Sequence, residues 1–287
     1  MTDFIKHSKL YAIISSVVII AGLISMLTWG FKPSIDFVGG TNLEYQFKPQ
    51  VSSEALGAQL EAGKVEVQEL RQAGNAYVIR AKTLDEQQEL KLRNTLEQNL
   101  KSKITVLRSE TVGPVIGAET VRKTAIATAI AVLGILLYVA YAFRNFNFAI
   151  AAIAALLHDI LVVVGTYSIL SHFFPAELDT LFITALLTTM SFSVHDTIVV
   201  FDQIREYQKR KGQGNITDYA NQALTDTMVR SLNNSLTIIF MLVALVLLGG
   251  STIRYFALTL LIGTITGTYS SPFVATPIAV WLEKRKK

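Results

Sequence analysis

Six stretches of this chain are apolar for long enough to cross a bilayer, and that limits what it can fold into. A hydrocarbon core takes roughly 20 consecutive apolar residues in a helix. Runs of that order lie at residues 10–29, 121–143, 146–170, 181–204, 231–248 and 255–281. With 51% hydrophobic and 17% charged residues among 287, the whole is too apolar for a soluble domain of its size. The first run follows Lys6 and Lys9, as a secretory leader would, but a leader's apolar region is about 7–15 residues. This one continues into Trp29, Gly30 and Phe31 and reads as an uncleaved span. The sixth is interrupted by Tyr269, Ser270, Ser271 and Pro272, with Pro277 beyond, which predicts a kink or break.

Orientation follows from Lys and Arg near the span ends, because cytoplasmic loops carry the excess. Lys6 and Lys9, Arg144, then Arg205, Lys209, Arg210 and Lys211, then Lys284, Arg285, Lys286 and Lys287 all fall on one side. Arg122, Lys123 and Arg254 are exceptions at the opposite interface. Both termini are therefore expected in the cytoplasm, with 205–230 a cytoplasmic loop and 121–287 the body of a six-helix bundle begun by 1–30. Basic residues that flank spans explain the net charge of +4 better than nucleic acid does. With no cysteine, the chain has no disulfide framework, Cys-ligated zinc or thiolate nucleophile. Gly63-Lys64-Val65 lacks the spacing of a phosphate loop, and neither HExxH nor GxSxG occurs. The chain is thus not expected to be an enzyme, nor to need a metal or cofactor.

Between the first two spans, residues 31–120 change to mixed sequence that reads as a small extracytoplasmic α+β domain. Alternation and turn residues predict strands at 37–47, 64–72, 75–82 and 103–110, and helical periodicity predicts helices at 52–62 and 84–100. The order βαββαβ is that of a ferredoxin-like fold, which hosts many functions and proves none.

An ionisable group at the bilayer centre costs roughly 2.5–3.5 kcal/mol on insertion scales, so each one needs a reason. His158 and Asp159 stand near mid-membrane in the third span; His195 and Asp196 stand in the fourth, with Asp202 nearer its cytoplasmic end. The fifth opens with Arg230, followed by Asn233, Asn234 and Thr237. Helical spacing puts Thr189, Ser193, Asp196 and Gln203 on one stripe, and Arg230, Asn234 and Thr237 on another. Facing stripes would let Asp196 pair with Arg230. That pair is either a structural ion pair or a proton relay, since a transmembrane potential supplies about 2.3 kcal/mol per charge per 100 mV. His158, Asp159, His195, Ser193, Asn234 and Thr237 are candidates for the same polar network or for ordinary packing. Gly263 and Gly267, with Thr259 and Ser270, form a small-residue stripe suited to close helix approach.

Four motifs together carry a resemblance: Ile35-Asp36-Phe37-Val38-Gly39-Gly40-Thr41, Leu157-His158-Asp159, His195-Asp196-Thr197-Ile198-Val199-Val200-Phe201-Asp202, and Gly267-Thr268-Tyr269-Ser270-Ser271-Pro272. In this order, relative to six spans, they resemble the SecD/SecF family of protein-export membrane proteins, similar in build to half of a resistance-nodulation-division transporter. The resemblance extends over nearly the whole chain. It implies a multi-pass protein of the bacterial inner membrane that promotes preprotein export with SecD, using the proton gradient as energy source. The implied partners are SecD, the SecYEG channel, YajC and the translocating preprotein, within a lipid bilayer. It also implies that Asp196 carries protons opposite an essential Arg230. Asp36, Gly39, Gly40 and Asp202 belong to its structural motifs. The alternative is a proton-coupled transporter of small molecules or lipids from the same superfamily. Two positions depart from the family's pattern: His195 stands where Asn is common, and Gln203 where Arg is common.

Overall fold

The computed structural model describes residues 3–143, 145–212 and 214–285. Arg144, Lys286 and Lys287 of the charge pattern lie outside the described residues. The chain divides into two compact units, Pro33–Ala125 and the combination of Met1–Lys32 with Ile126–Lys287. In chain order the elements are α1 (Ser8–Thr28, after a 3-10 turn), α2 (Ile35–Val38), β1 (Gly40–Lys48), α3 (Ser53–Ala62), β2 (Val67–Ala73), β3 (Ala76–Ala81), α4 (Glu86–Leu100) and β4 (Lys103–Val112). There follow α5 (Pro114–Ala142), α6 (Phe146–Phe173), α7 (Thr180–Lys211), α8 (Ile216–Leu248), α9 (Ser251–Ser270) and, after a π turn at Ser271–Ala275, α10 (Thr276–Arg285).

In the smaller unit an antiparallel sheet of order β2-β3-β1-β4 carries α3 and α4. Alternate residues of the central strands, Leu43, Tyr45, Phe47, Tyr77 and Ile79, are buried against Leu56 and Leu60 of α3 and Leu92 and Leu96 of α4. Ser52 caps α3, and Asp85 with Gln88 forms a reciprocal capping box on α4. The Tyr45 hydroxyl donates to Glu89 Oε1 at 2.5 Å, and burial pushes its ionisation well above the ordinary tyrosine range. The first strand starts later than alternation suggests. Residues 35–38 form α2 instead, and the chain enters β1 through Gly39 at φ 77° and Gly40 at φ 131°. A Cβ there would lie 2.9 Å from the Pro114 Cα or the Ala81 carbonyl oxygen, so both steric space and backbone conformation call for glycine. The second strand also starts late, at Val67, because Lys64 takes a left-handed turn at φ 54°.

In the larger unit, Ile5–Thr28, α5, α6, α7 and α8 are each long and apolar enough to cross a membrane. The sixth apolar run is not one helix. Its π turn contains Pro272, which has no N–H to give to a ladder, and divides the run into pieces of 20 and 10 residues. The expected loop at 205–230 is a correction: α7 continues to Lys211 and α8 starts at Ile216, so nearly all of it is helical. Its polar sequence hides an amphipathic period, with Tyr207, Ile216, Tyr219, Ala220, Ala223 and Leu224 buried while the charges face out. Asn215 caps α8 by accepting from the Thr217 N–H. Likewise α5 begins at Pro114, before the apolar run, and its first turns carry a Lys123–Glu119 pair at 2.8 Å.

Small residues set the helix seams. A Cβ on Gly22 of α1 would sit 2.7 Å from the Gly165 Cα of α6, and Ser25 and Ser168 hydroxyls meet 2.8 Å apart along the same seam. Between α7 and the continuous stretch of α9 and its π turn, three pairs repeat every four residues: Thr189 against Gly263, Ser193 against Gly267, and Thr197 against Ser271, whose hydroxyls are 2.9 Å apart. Replacing Gly165 by Leu should force α1 off α6, at a cost of about 1–3 kcal/mol or more. Cysteines at Ser25 and Ser168 are expected to cross-link efficiently in the parent and poorly beside Gly165→Leu; equal cross-linking would refute the seam.

Candidate functional site

Two polar groups meet adjoining faces of α7. The inner one centres on Asp159 of α6, which is 5% exposed. Its Oδ1 lies 2.8 Å from His158 Nδ1. Its Oδ2 accepts from the Ser270 hydroxyl of α9 at 2.6 Å and from the Ser193 hydroxyl of α7. His158 Nε2 lies 2.9 Å from the Ser15 hydroxyl of α1. One carboxyl thus ties α6 to α7 and α9, and its histidine neighbour ties in α1. A buried carboxyl can persist only with its lone pairs satisfied, and here three partners do so.

The outer group lies on the α8 side. Asp196 is half-buried, and its Oδ2 accepts from the Ser231 hydroxyl of α8 at 2.7 Å. Arg230 is exposed, and among the described residues no ion pair within 4.0 Å joins it to Asp196. The expected direct pairing is therefore corrected. Consecutive helical residues diverge by about 100°, so when the Ser231 hydroxyl faces α7 the Arg230 side chain leaves the helix on a different side and acts on Asp196 only at longer range. The expected stripe is also corrected: Thr189, Ser193 and Thr197 share the buried face towards α9, while Asp196 lies on the adjoining flank towards α8. A cleft of about 20 Å³ beside Asp196 is lined by Phe192, His195, Asn234, Ser235 and Thr268, room for about one water. Ser235 and Thr268 are themselves joined at 2.7 Å, which extends the polar track from α8 to α9.

The remaining predicted residues fall elsewhere. Thr237 is exposed and returns its hydroxyl to the Asn233 carbonyl at 2.8 Å, joining neither group. Asp202 pairs with Arg205 at 3.0 Å near the end of α7. Gly263 and Gly267 belong to the α7–α9 seam, and Asp36, Gly39 and Gly40 to the approach to β1. Sequence reasoning missed Ser15, Ser231, Ser235 and Thr268 as site residues. Serine and threonine within apolar helices commonly bond their own preceding turn, so nothing in their spacing separates a bridging hydroxyl from a self-satisfied one. Sequence reasoning marks Ser270 as part of a small-residue stripe, and Ser270 and Tyr269 as part of a helix interruption and a family motif, but neither as a site residue.

Two family models match the chain, one described as "Protein export membrane protein SecD/SecF, C-terminal" over residues 92–285 and one as "SecD/SecF GG Motif" over 24–51. The chain belongs to the SecD/SecF family. A SecD/SecF relative from Thermobaculum terrenum, "Protein translocase subunit SecF", is 42% identical, with 99% of this chain and 95% of the relative covered. "Protein translocase subunit SecDF" from Thermus thermophilus is 38% identical over 90% of this chain but only 35% of its own length. A solved crystal structure of SecDF from the same genus, described as a translocon-associated membrane protein, superposes with TM-score 0.86 at 33% identity. This chain is covered in full and spans 39% of that one. The GG-motif match takes in Gly39 and Gly40, the two residues whose positive φ values carry the chain into β1.

Within this SecD/SecF bundle, Asp159→Leu removes the acceptor shared by Ser193, Ser270 and His158. Stranding buried polar groups costs about 1–3 kcal/mol, so the melting temperature of the purified protein should fall clearly. Ser231→Ala, at the half-buried site, should lower it much less; equal effects would contradict the inner group's structural weight.

Proposed function

We propose that this chain is an accessory subunit of the Sec preprotein translocase, acting with a SecD-type partner and driven by the proton-motive force. It makes and breaks no covalent bond of its substrate. The observation that carries the reading is the outer polar group: Asp196, His195, Arg230 and Asn234 all stand towards or on the outer flank of α7 and α8 within apolar helices. Charged groups at membrane depth do not face lipid; they face protein or water. A second membrane subunit against this flank supplies both, and relatives named SecDF, in which a chain like this is about a third of the length, support a SecD-type neighbour.

Proton chemistry follows from the hydrogen bonds available. As a carboxylate, Asp196 accepts from Ser231; once protonated it gains an O–H to donate and loses its negative charge, while its carbonyl oxygen can still accept. Arg230, next in sequence to Ser231, is the counter-charge that a turn of α8, with a change in the long side chain's conformation, brings towards the carboxylate. Loading and unloading of the proton thereby alternates two arrangements of α7 and α8. The reading includes six spans, the sixth built from α9 and α10, in the bacterial inner membrane with both termini cytoplasmic. It also includes a ferredoxin-like domain outside, which the sheet order β2-β3-β1-β4 supports. SecYEG, YajC and the preprotein are the further partners. The alternative is a small-molecule or lipid transporter of the same superfamily; ligand pockets run to about 300–1,000 Å³, and the cleft beside Asp196, at about 20 Å³, is too small to be its binding site.

Asp196→Asn and Arg230→Met should each abolish the uncoupler-sensitive part of preprotein import into membrane vesicles while the protein still inserts. Full stimulation in either variant would remove the relay. For topology, a reporter fused after Arg80 should behave as extracytoplasmic and one after Lys211 as cytoplasmic; the reverse labelling would overturn the orientation.

A further inference from the structure

The donors and acceptors around His158 leave one hydrogen with two possible destinations. Asp159 Oδ2 is occupied by two serine hydroxyls, and Oδ1 faces His158 Nδ1 at 2.8 Å, so one proton lies between those two atoms. The other ring nitrogen, Nε2, faces Ser15 Oγ at 2.9 Å. Ser15 Oγ is also 3.4 Å from the Tyr269 phenol oxygen of α9. That phenol is committed as a donor, because its O–H reaches the Tyr11 carbonyl at 3.0 Å and a carbonyl cannot donate in return. Ser15 thus has a single hydrogen and two neighbours able to accept it. With Nε2 bare, the hydroxyl donates to the ring. With Nε2 protonated, the ring donates to Ser15, and the hydroxyl hydrogen turns to Tyr269.

We propose that His158 Nε2 is a reversible proton-binding site, separate from Asp196, whose occupancy decides whether Ser15 links α6 to α1 alone or onward to α9. On protonation an N–H bond forms at Nε2 with a proton from water, and Ser15 keeps its own hydrogen but redirects it; on release the same proton returns to water. The geometry supplies the two acceptors at one hydroxyl, and the flanking aromatic cluster of Tyr11, Tyr269 and Phe273 fixes the phenol. Among the described residues, these polar, titratable and aromatic groups stand around the site. From α1 there is Tyr11, through its backbone carbonyl, and Ser15; from α6, Asp159; from α7, Ser193, with His195 and Asp196 on the other flank; from α9 and the π turn, Tyr269, Ser270 and Phe273. Glu283 of α10 is held at the far start of α6 by Asn145 and Asn147, and His172 at the other end stacks on Trp29.

The test is nitrogen NMR of histidine-labelled full-length protein in lipid nanodiscs. There are four histidines, and His158→Gln identifies the resonances that belong to this one. As the pH is raised, His158 is expected to pass from two protonated nitrogens to a bare Nε2. Tyr269→Phe removes the acceptor that only the protonated state uses, so it should lower the midpoint by about half a pH unit or more, the scale of one weak hydrogen bond. Ser25→Ala, on the same helix but bonded to Ser168, should leave the midpoint unchanged. Asp196→Asn should leave it unchanged as well, which separates this site from the export reading. A single protonation state throughout, a Tyr269→Phe titration identical to the parent, or loss of the transition in Asp196→Asn would each overturn the proposal.

Discussion

In hydrocarbon no water arrives to satisfy a polar atom, so a carboxyl placed there must be fully partnered by protein. Asp159 meets this condition by drawing hydroxyls from α7 and α9 and an imidazole from its own helix, and His158 reaches on to α1. The packing of the bundle depends on that arrangement. Hydrophobic burial gives little drive for one helix to choose another inside a membrane, since lipid tails are equally apolar. Register must come from shape and hydrogen bonds. The Gly22–Gly165 contact and the α7–α9 ladder of small residues supply the shape, and the Asp159 group supplies the bonds.

The two faces of α7 then divide the labour. Thr189, Ser193 and Thr197 point into the bundle and hold it together, whereas Asp196, three residues after Ser193, looks towards α8 and the cleft. A helix whose inner stripe is locked and whose flank is ionisable can change charge on one side without losing its place on the other. Ser231 and the Ser235–Thr268 bond extend the polar track across α8 to α9. The site is therefore built on three helices rather than on a pair of residues.

Much of this was legible in the sequence where a residue's meaning is local. Apolar runs located five helices because length and hydropathy leave no other option, and Pro272 announced the break that became a π turn. Gly39 and Gly40 marked a special position, but only the approach of Pro114 and Ala81 explains why β1 begins after them. The polar stretch 205–230 looked like a loop because its charges outnumber its apolar residues, although those few, such as Tyr207, Tyr219 and Leu224, recur with helical period. The choice of Ser231 over Arg230 as the partner of Asp196 depends on a helix rotation that spacing within one segment cannot give. Ser15 was invisible for a related reason: its partners come from helices more than a hundred residues away.

The hairpin of α7 and α8 has a mechanical consequence. Each helix runs unbroken from its end of the short 212–215 connection past the residues that meet at Asp196 and Ser231. From Asp196 to Lys211 is 15 residues, or roughly 22 Å of continuous helix. A stiff rod of that length does not absorb a tilt; it magnifies it. A swing of a few degrees at the carboxyl therefore displaces the tip by an ångström or more, and a push on the tip is felt at the carboxyl in turn.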